Sequence, residues 1–217
     1  MAENNVLDSH KKDSKESKKK EIFPYALFVL YGDGNKGKTT SLTELLFKLI
    51  GDPTIIGKLK SRIINSKTKK YKNGCYVIFY KGKWIFMSTW GDDRKSSELN
   101  INFFYGISVQ KKIFVIDNNG LGQLKRGTAY TLHHPDICIT ASHGDGTSLP
   151  PTLYMANKQL EPCHWQIWKH KKGDALQNAR NEDGILVTSE DIEVAKELKS
   201  MIDDYVIKVK EEKLVCK

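Results

Sequence analysis

The chain has 217 residues, 39% of them hydrophobic, enough for one α/β domain with little left for a second. Its longest apolar run, Ala26 to Tyr31, is far too short to span a bilayer and the start lacks the apolar stretch of a secretory leader, so the sequence reads as cytoplasmic, with no membrane partner. The formal charge is +9, and because six lysines among residues 1 to 21 are balanced by five acids, nearly all of it belongs to the remainder, which points to an anionic partner, either a phosphorylated ligand or nucleic acid.

Residues 1–21, rich in Lys, Ser, Glu and Asp, cannot bury enough apolar surface to offset their ordering entropy, so a disordered charged tail is expected, with the folded domain over 22–217. Order begins at Ile22-Phe23-Pro24. Ala26 to Tyr31 reads as a strand buried on both faces. After a glycine-rich turn, a helix is predicted from Lys38 to Ile50, with Leu42, Leu45, Leu46 and Leu49 forming one apolar stripe. Gly51 is placed to end it and Pro53 to prevent its continuation. Residues 57–73 carry Lys58, Lys60, Arg62, Lys67, Lys69, Lys70 and Lys72 without an acid, and read as a mobile basic segment with a short strand at Ile63-Ile64. Cys75–Tyr80 and Trp84–Thr89, joined by Lys81-Gly82-Lys83, predict an antiparallel hairpin. A helix is predicted over 96–110 on Leu99, Phe103 and Ile107, then a strand over Lys111–Asp117. Gly120, Gly122 and Gly127 break up the stretch after that strand. Ile137–Ala141 is a second buried strand, His164–Trp168 alternates as a strand, and a final helix over 189–210 presents Ile192, Ala195, Leu198, Ile202, Tyr205 and Val209, capped by Thr188 or Ser189. Strand, loop, helix, then further alternation predicts an α/β domain with a mostly parallel sheet flanked by helices and an antiparallel hairpin at about 75–89.

The strongest motif is Gly32-Asp33-Gly34-Asn35-Lys36-Gly37-Lys38-Thr39, an ungapped Gly-x-x-x-x-Gly-Lys-[Ser/Thr] with a buried strand before it and an amphipathic helix starting inside it. Its glycines permit backbone angles that other residues resist, so successive amide groups can turn inward as a nest for phosphate oxygens. The helix start adds unpaired donors and its positive dipole end. Lys38 brings a point charge to the β- and γ-phosphates, Thr39 a hydroxyl suited to Mg²⁺, and Thr40 continues the same helical turn. On these residues the chain resembles the P-loop NTPase superfamily over Ala26 to Ile50. The resemblance implies a nucleoside triphosphate with Mg²⁺ as cofactor.

Such proteins bring a carboxylate from a neighbouring strand end toward the metal, and two places here can supply it. In Ser88-Thr89-Trp90-Gly91-Asp92-Asp93 a strand end is followed by a glycine and two acids. Small GTPases carry Asp-x-x-Gly after a similar hairpin; here Ser88 replaces that Asp, so Asp92 or Asp93 would serve Mg²⁺ while the Gly91 amide faces the γ-phosphate. The other place is Asp117, which ends Phe114-Val115-Ile116. GTPases read guanine through Asn-Lys-x-Asp. The matching position, Ala141-Ser142-His143-Gly144-Asp145, has no Asn-Lys, which favours ATP over GTP. Arg94 is the first choice to neutralise transferring charge, with Arg62, Arg126 and Arg180 as alternatives. His133, His134 and His143 are candidate bases without a partner in sequence. Cys75, Cys138, Cys163 and Cys216 form no Cys-x-x-Cys pair and are expected as free thiols; Cys163-His164 with His143 matches no standard metal pattern.

Three functions compete: an NTP hydrolase, a small P-loop kinase with an anionic acceptor, and a nucleic-acid-binding module with a regulatory nucleotide site. Tyr71 and Tyr76 lie among or just beyond the lysines of 57–73, where they could stack on bases. An arginine-rich lid, which would favour the kinase, is absent from the sequence. Many P-loop ATPases need a second subunit to complete the site, so an oligomer also stands as an open expectation.

Overall fold

A computed structural model describes residues 25–91, 93–104, 112–124, 135–143, 163–173 and 179–215. The charged segment 1–21, Asp92, Ile107, Arg126, His133, His134, the glycine loop from Gly144 to Thr147 and Cys216 lie outside these residues, as do the side chains of Cys163, His164 and Val209. The first strand, β1 (Tyr25–Tyr31), leads through the glycine loop into α1 (Lys38–Ile50), followed by α2 (Pro53–Ile63) and the short strands β2 (Ile64–Asn65) and β3 (Lys70–Tyr71). The hairpin β4 (Cys75–Tyr80) and β5 (Lys83–Ser88) precedes α3 (Arg94–Phe104), then β6 (Ile113–Asp117), β7 (Gly120–Leu124), β8 (Ile137–Ser142) and β9 (Cys163–His170). The ribbon β10 (Ala179–Arg180) and β11 (Leu186–Val187) leads into α4 (Ser189–Val215).

Seven strands form one sheet in the order β7-β6-β4-β5-β8-β1-β9. β1 lies between β8 and β9, parallel to both, and β5 runs parallel to β8. Their carboxyl ends therefore share one edge. β4 is antiparallel to β5, β6 parallel to β4, and β7 antiparallel to β6. The expected α/β architecture with a mostly parallel sheet and the hairpin at 75–89 is present.

Side-chain alternation gives the sheet two buried faces. Ala26, Phe28 and Leu30 point into the larger core with α1 and α4, while Leu27 and Val29 point into a smaller one with Val77, Phe86 and Cys138. The α1 stripe is inside as expected, Leu42, Leu45 and Leu46 being fully buried, each worth about 2 kcal/mol relative to exposure. Gly51 ends α1 in the left-handed region at φ 69°, its amide donating to Phe47 O at 3.0 Å. Ala195, Leu198, Ile202 and Tyr205 form the inner face of α4, whereas Ile192 is 38% exposed.

Other expectations need correction. The basic segment holds a helix and a hairpin, and the strand expected at Ile63-Ile64 is Ile64–Asn65. Residues 53–63 are helix, because the Asp52 carboxylate accepts from the Thr54 and Ile55 amides at 2.7 and 3.2 Å and Pro53 occupies the first turn. The hairpin β2–β3 comes next. Gly120 and Gly122 lie within a strand at the sheet edge, where a Cβ at Gly120 would meet nothing within 4 Å and one at Gly122 only Val115. Helix α3 starts earlier than expected and turns Ser96, Ser97 and Asn100 inward, beside a half-buried Leu99. Tyr76 is fully buried and cannot stack on a base, and Tyr71 is 7% exposed with its ring edge-on to Phe47.

Candidate nucleotide site

The loop between β1 and α1 is pinned at its start by both neighbouring strands. The Gly32 amide donates to Ser142 O at 3.3 Å and the Lys171 amide to Tyr31 O at 2.7 Å. Gly32 (φ 152°) passes so close to the Lys171 carbonyl that a Cβ would overlap it. Gly37, at φ 82°, caps α1; a Cβ there would stand 2.8 Å from Asp191 Oδ1. Asn35 takes the remaining left-handed position of the loop, at φ 61°. The first turn of α1 has neither a side-chain cap nor an acidic residue, which favours an anion at that end.

Lys38 is only 4% exposed, and its Nζ donates to the carbonyls of Gly32 and Asp33 at 2.9 and 2.7 Å. The ammonium is thus held within the loop that a phosphate would fill. Thr39 donates its hydroxyl to Asn73 Oδ1 at 2.7 Å and lies 3.4 Å from Thr89 O, beyond the end of β5. Thr89 in turn hooks the start of β4, its Oγ1 accepting from the Gly74 amide at 2.9 Å. Three neutral oxygens therefore converge at Thr39, a donor set that suits a hard divalent cation.

A buried charged junction sits behind the loop. Lys171, 1% exposed, donates to Glu190 Oε2 at 2.8 Å and pairs with Asp191 Oδ1 at 3.0 Å. Asp191 Oδ1 also accepts from the Ser41 hydroxyl of α1 at 2.7 Å. The other Asp191 oxygen accepts from the Thr188 amide at 2.9 Å, and the Asp191 amide donates to Thr188 Oγ1 at 3.1 Å, a reciprocal cap at the start of α4. Of the two expected capping residues, Thr188 does the capping. Partial burial pushes the Glu190 carboxyl up, but hydrogen bonds from Lys171 and from the Gly173 and Lys172 amides outweigh it and hold it below the usual carboxylate range.

A cavity of about 530 Å³ opens over this floor. One side is the loop and first turn, from Asn35 to Thr40. The rest of the lining includes the β2–β3 hairpin, with Lys69, Lys70 and Tyr71, and the β10–β11 ribbon, with Arg180 and Leu186. Tyr71 holds the hairpin in place: its hydroxyl donates to Glu44 Oε1 at 3.1 Å and accepts from Asn181 Nδ2 at 3.2 Å. Burial pushes the Glu44 carboxyl up despite this bond.

The remaining sequence candidates divide. Gly34 lies against His143, whose Nε2 would be 3.3 Å from a Cβ at Gly34, so His143 is brought to the loop. Gly91 packs on the end of β8, where a Cβ would overlap Ala141 O. Ser88 is fully buried and donates to Asn100 Oδ1 at 2.5 Å, a structural role. Asp92 lies outside the described residues. Asp93 caps α3, accepting from the Ser96 amide at 2.8 Å. Asp117 closes a turn by accepting from the Asn119 amide at 2.8 Å. Because β6 runs against β1, Asp117 ends at the opposite sheet edge, four strands away. That puts it roughly 20 Å from the loop along the strands and roughly 20 Å across them, which removes it as a metal ligand. Arg94 pairs with Glu98 at 2.9 Å with its side chain 73% exposed, and does not line the cavity. Arg180 does line it; Arg62 is exposed on α2 and does not. Cys75 and Cys138 are buried and form no disulfide, and no cluster of three or more His, Cys, Asp or Glu side chains that could hold a metal occurs among the described residues.

The sequence reading missed Asn73, Lys171, Glu190 and Asp191. Only the last had a local signal, the Thr188-x-x-Asp191 spacing of a helix cap. Comparison with protein-family models, curated proteins and solved structures returns no match. No helix among the described residues is long and apolar enough to cross a membrane.

Proposed function

We propose that the protein binds a Mg²⁺–nucleoside triphosphate in this cavity, ATP in preference to GTP, and hydrolyses its terminal phosphate. The observation that carries the reading is Lys38: a buried ammonium bonded to two carbonyls of its own loop, at an uncapped helix start. An incoming γ-phosphate offers that ammonium charge-assisted bonds in place of two neutral carbonyls. Thr39 and Asn73 are the side chains to hold the cation, with Thr89 O beside them. The Mg²⁺ would neutralise charge on the β- and γ-phosphate oxygens. His143, which lies beside the loop at Gly34, would orient a water toward the γ-phosphorus and accept its proton as the bond to the bridging oxygen breaks. Lys38 and the loop amides then meet the developing charge, a task for which Arg94 stands outside the cavity.

Calorimetric titration with Mg-ATP and Mg-GTP tests this. Wild type is expected to bind Mg-ATP more tightly than Mg-GTP, with Lys38→Ala weaker by more than about a hundredfold. A folded wild type that binds neither nucleotide would sink the proposal. A second reading, nucleic-acid binding, draws on the exposed Lys58, Arg62, Lys67, Lys69, Lys70 and Lys72 around α2 and the β2–β3 hairpin. RNA or DNA binding that falls steeply with salt would favour it.

A further inference from the structure

On the wall of the same cavity, the β10–β11 ribbon has two unlike faces. Arg180 and Leu186 are directly opposed in its register, so their side chains leave on one face, with Cβ atoms about 5 Å apart. Both line the cavity. Val187, on the opposite face by alternation, is buried in the core at 7% exposed. Leu186 is 46% exposed, and of the large apolar side chains exposed among the described residues it is the one on the cavity wall. A lone exposed leucine on a convex surface needs no explanation. Here it forms an apolar platform inside a polar, cationic concavity. Arg180 Nη1 donates to Gly184 O at 2.6 Å, which fixes the end of the guanidinium beside that platform.

We propose that this ribbon is the nucleoside subsite, with the base resting on Leu186 beside the Arg180 guanidinium and the phosphates running past Lys36 and Thr40 to Lys38. The inference rests on reading the loop as a triphosphate site, and it names the ligand class that the site selects. A cavity of about 530 Å³ holds a whole nucleotide rather than a phosphate alone. A leucine face and a planar cation recognise a flat ring through contact area and stacking, not through hydrogen bonds to its edges. The subsite thus selects purine nucleotides over pyrimidine nucleotides, whose smaller ring covers less of Leu186. Discrimination between the two purines, which differ in their polar edges, is smaller than discrimination against pyrimidines. Recognition of this kind works without the Asn-Lys-x-Asp sequence that the chain lacks.

The test is calorimetry on the full chain with Mg-ATP, Mg-CTP and Mg-tripolyphosphate, comparing wild type with Leu186→Ala and Leu186→Phe. Wild type is expected to prefer Mg-ATP to Mg-CTP. Leu186→Ala should weaken Mg-ATP about tenfold and leave tripolyphosphate unchanged, while Leu186→Phe, which restores a broad apolar face, should retain Mg-ATP affinity. Equal Mg-ATP affinity in wild type and Leu186→Ala, with tripolyphosphate still bound, overturns the subsite and leaves the loop reading standing. Parallel loss of ATP and tripolyphosphate in Leu186→Ala also overturns it, since the ribbon would then act on the phosphates. Failure of wild type to bind either ATP or tripolyphosphate removes the loop reading itself, and the subsite with it.

Discussion

Among the described residues, the side chain that meets Thr39 is an amide, Asn73, whose Oδ1 takes the threonine hydroxyl at 2.7 Å. A neutral oxygen attracts Mg²⁺ less than a carboxylate does, so under the proposed function the nucleotide phosphates would supply most of the charge that holds the cation beside Asn73. Two substitutions separate this from a structural role. Asn73→Ala should lower Mg-ATP affinity about tenfold, corresponding to one lost polar contact at a charged group, and leave metal-free ATP binding unchanged. Because Asn73 is exposed, the variant's stability should stay within about 0.5 kcal/mol of wild type. Asn73→Asp should strengthen the Mg²⁺ dependence. Titrations with and without Mg²⁺ measure both, and an Asn73→Ala loss that persists without metal would remove Asn73 from the cation shell.

The loop depends on how three elements meet behind it. Lys171 beyond β9, Glu190 and Asp191 at the start of α4, and Ser41 of α1 share one buried junction. Removing one member of a buried ion pair leaves the others desolvated without their partner, typically at about 3–5 kcal/mol. Lys171→Met should therefore lower the unfolding free energy measured in urea by an amount of that size, and a change below about 1 kcal/mol would show that the junction is not a keystone. None of this was legible in the sequence, since Ser41 and Asp191 are 150 residues apart and nothing local pairs them. What was legible is continuous or periodic: the β1 run, the leucine stripe of α1, the loop between them, and β8. Helix α2 was hidden because Pro53 carries two meanings, helix stop and first-turn residue, and Asp52 decides between them only when its capping bonds are seen. The sheet order was hidden for a broader reason: nothing local reveals that β8 inserts between β1 and β5.

Across the whole molecule, α4 runs from the cavity to the far sheet edge, where Asp203 ties it to the β4–β5 turn. Its carboxylate accepts from Tyr80 Oη at 2.7 Å, from Lys81 Nζ at 2.8 Å and from Lys199 Nζ at 2.7 Å. Partial burial pushes this carboxyl up, but the three hydrogen bonds outweigh it and bring the pKa down to about 2 from an ordinary 3.8. The folded state thus holds the Asp203 proton more weakly than the unfolded chain does, so its stabilisation is fully present above about pH 4 and is lost as pH falls toward 2. Glu190, also depressed, loses stabilisation in the same direction. Glu44, raised by burial, works the other way: acidification through its range favours the fold and partly offsets the loss. Because Asp203 is partly open to solvent, screening reduces its share to about 1 kcal/mol. Asp203→Asn should accordingly be less stable than wild type by about that amount at neutral pH, with the gap closing between pH 4 and pH 2. Urea unfolding across that range measures it. Since Asp203 lies about four helical turns along α4 from its cavity end, nucleotide affinity at neutral pH should be the same in the variant and in wild type, and a gap that stays constant to pH 2 would show that Asp203 stabilises the fold by something other than its charge.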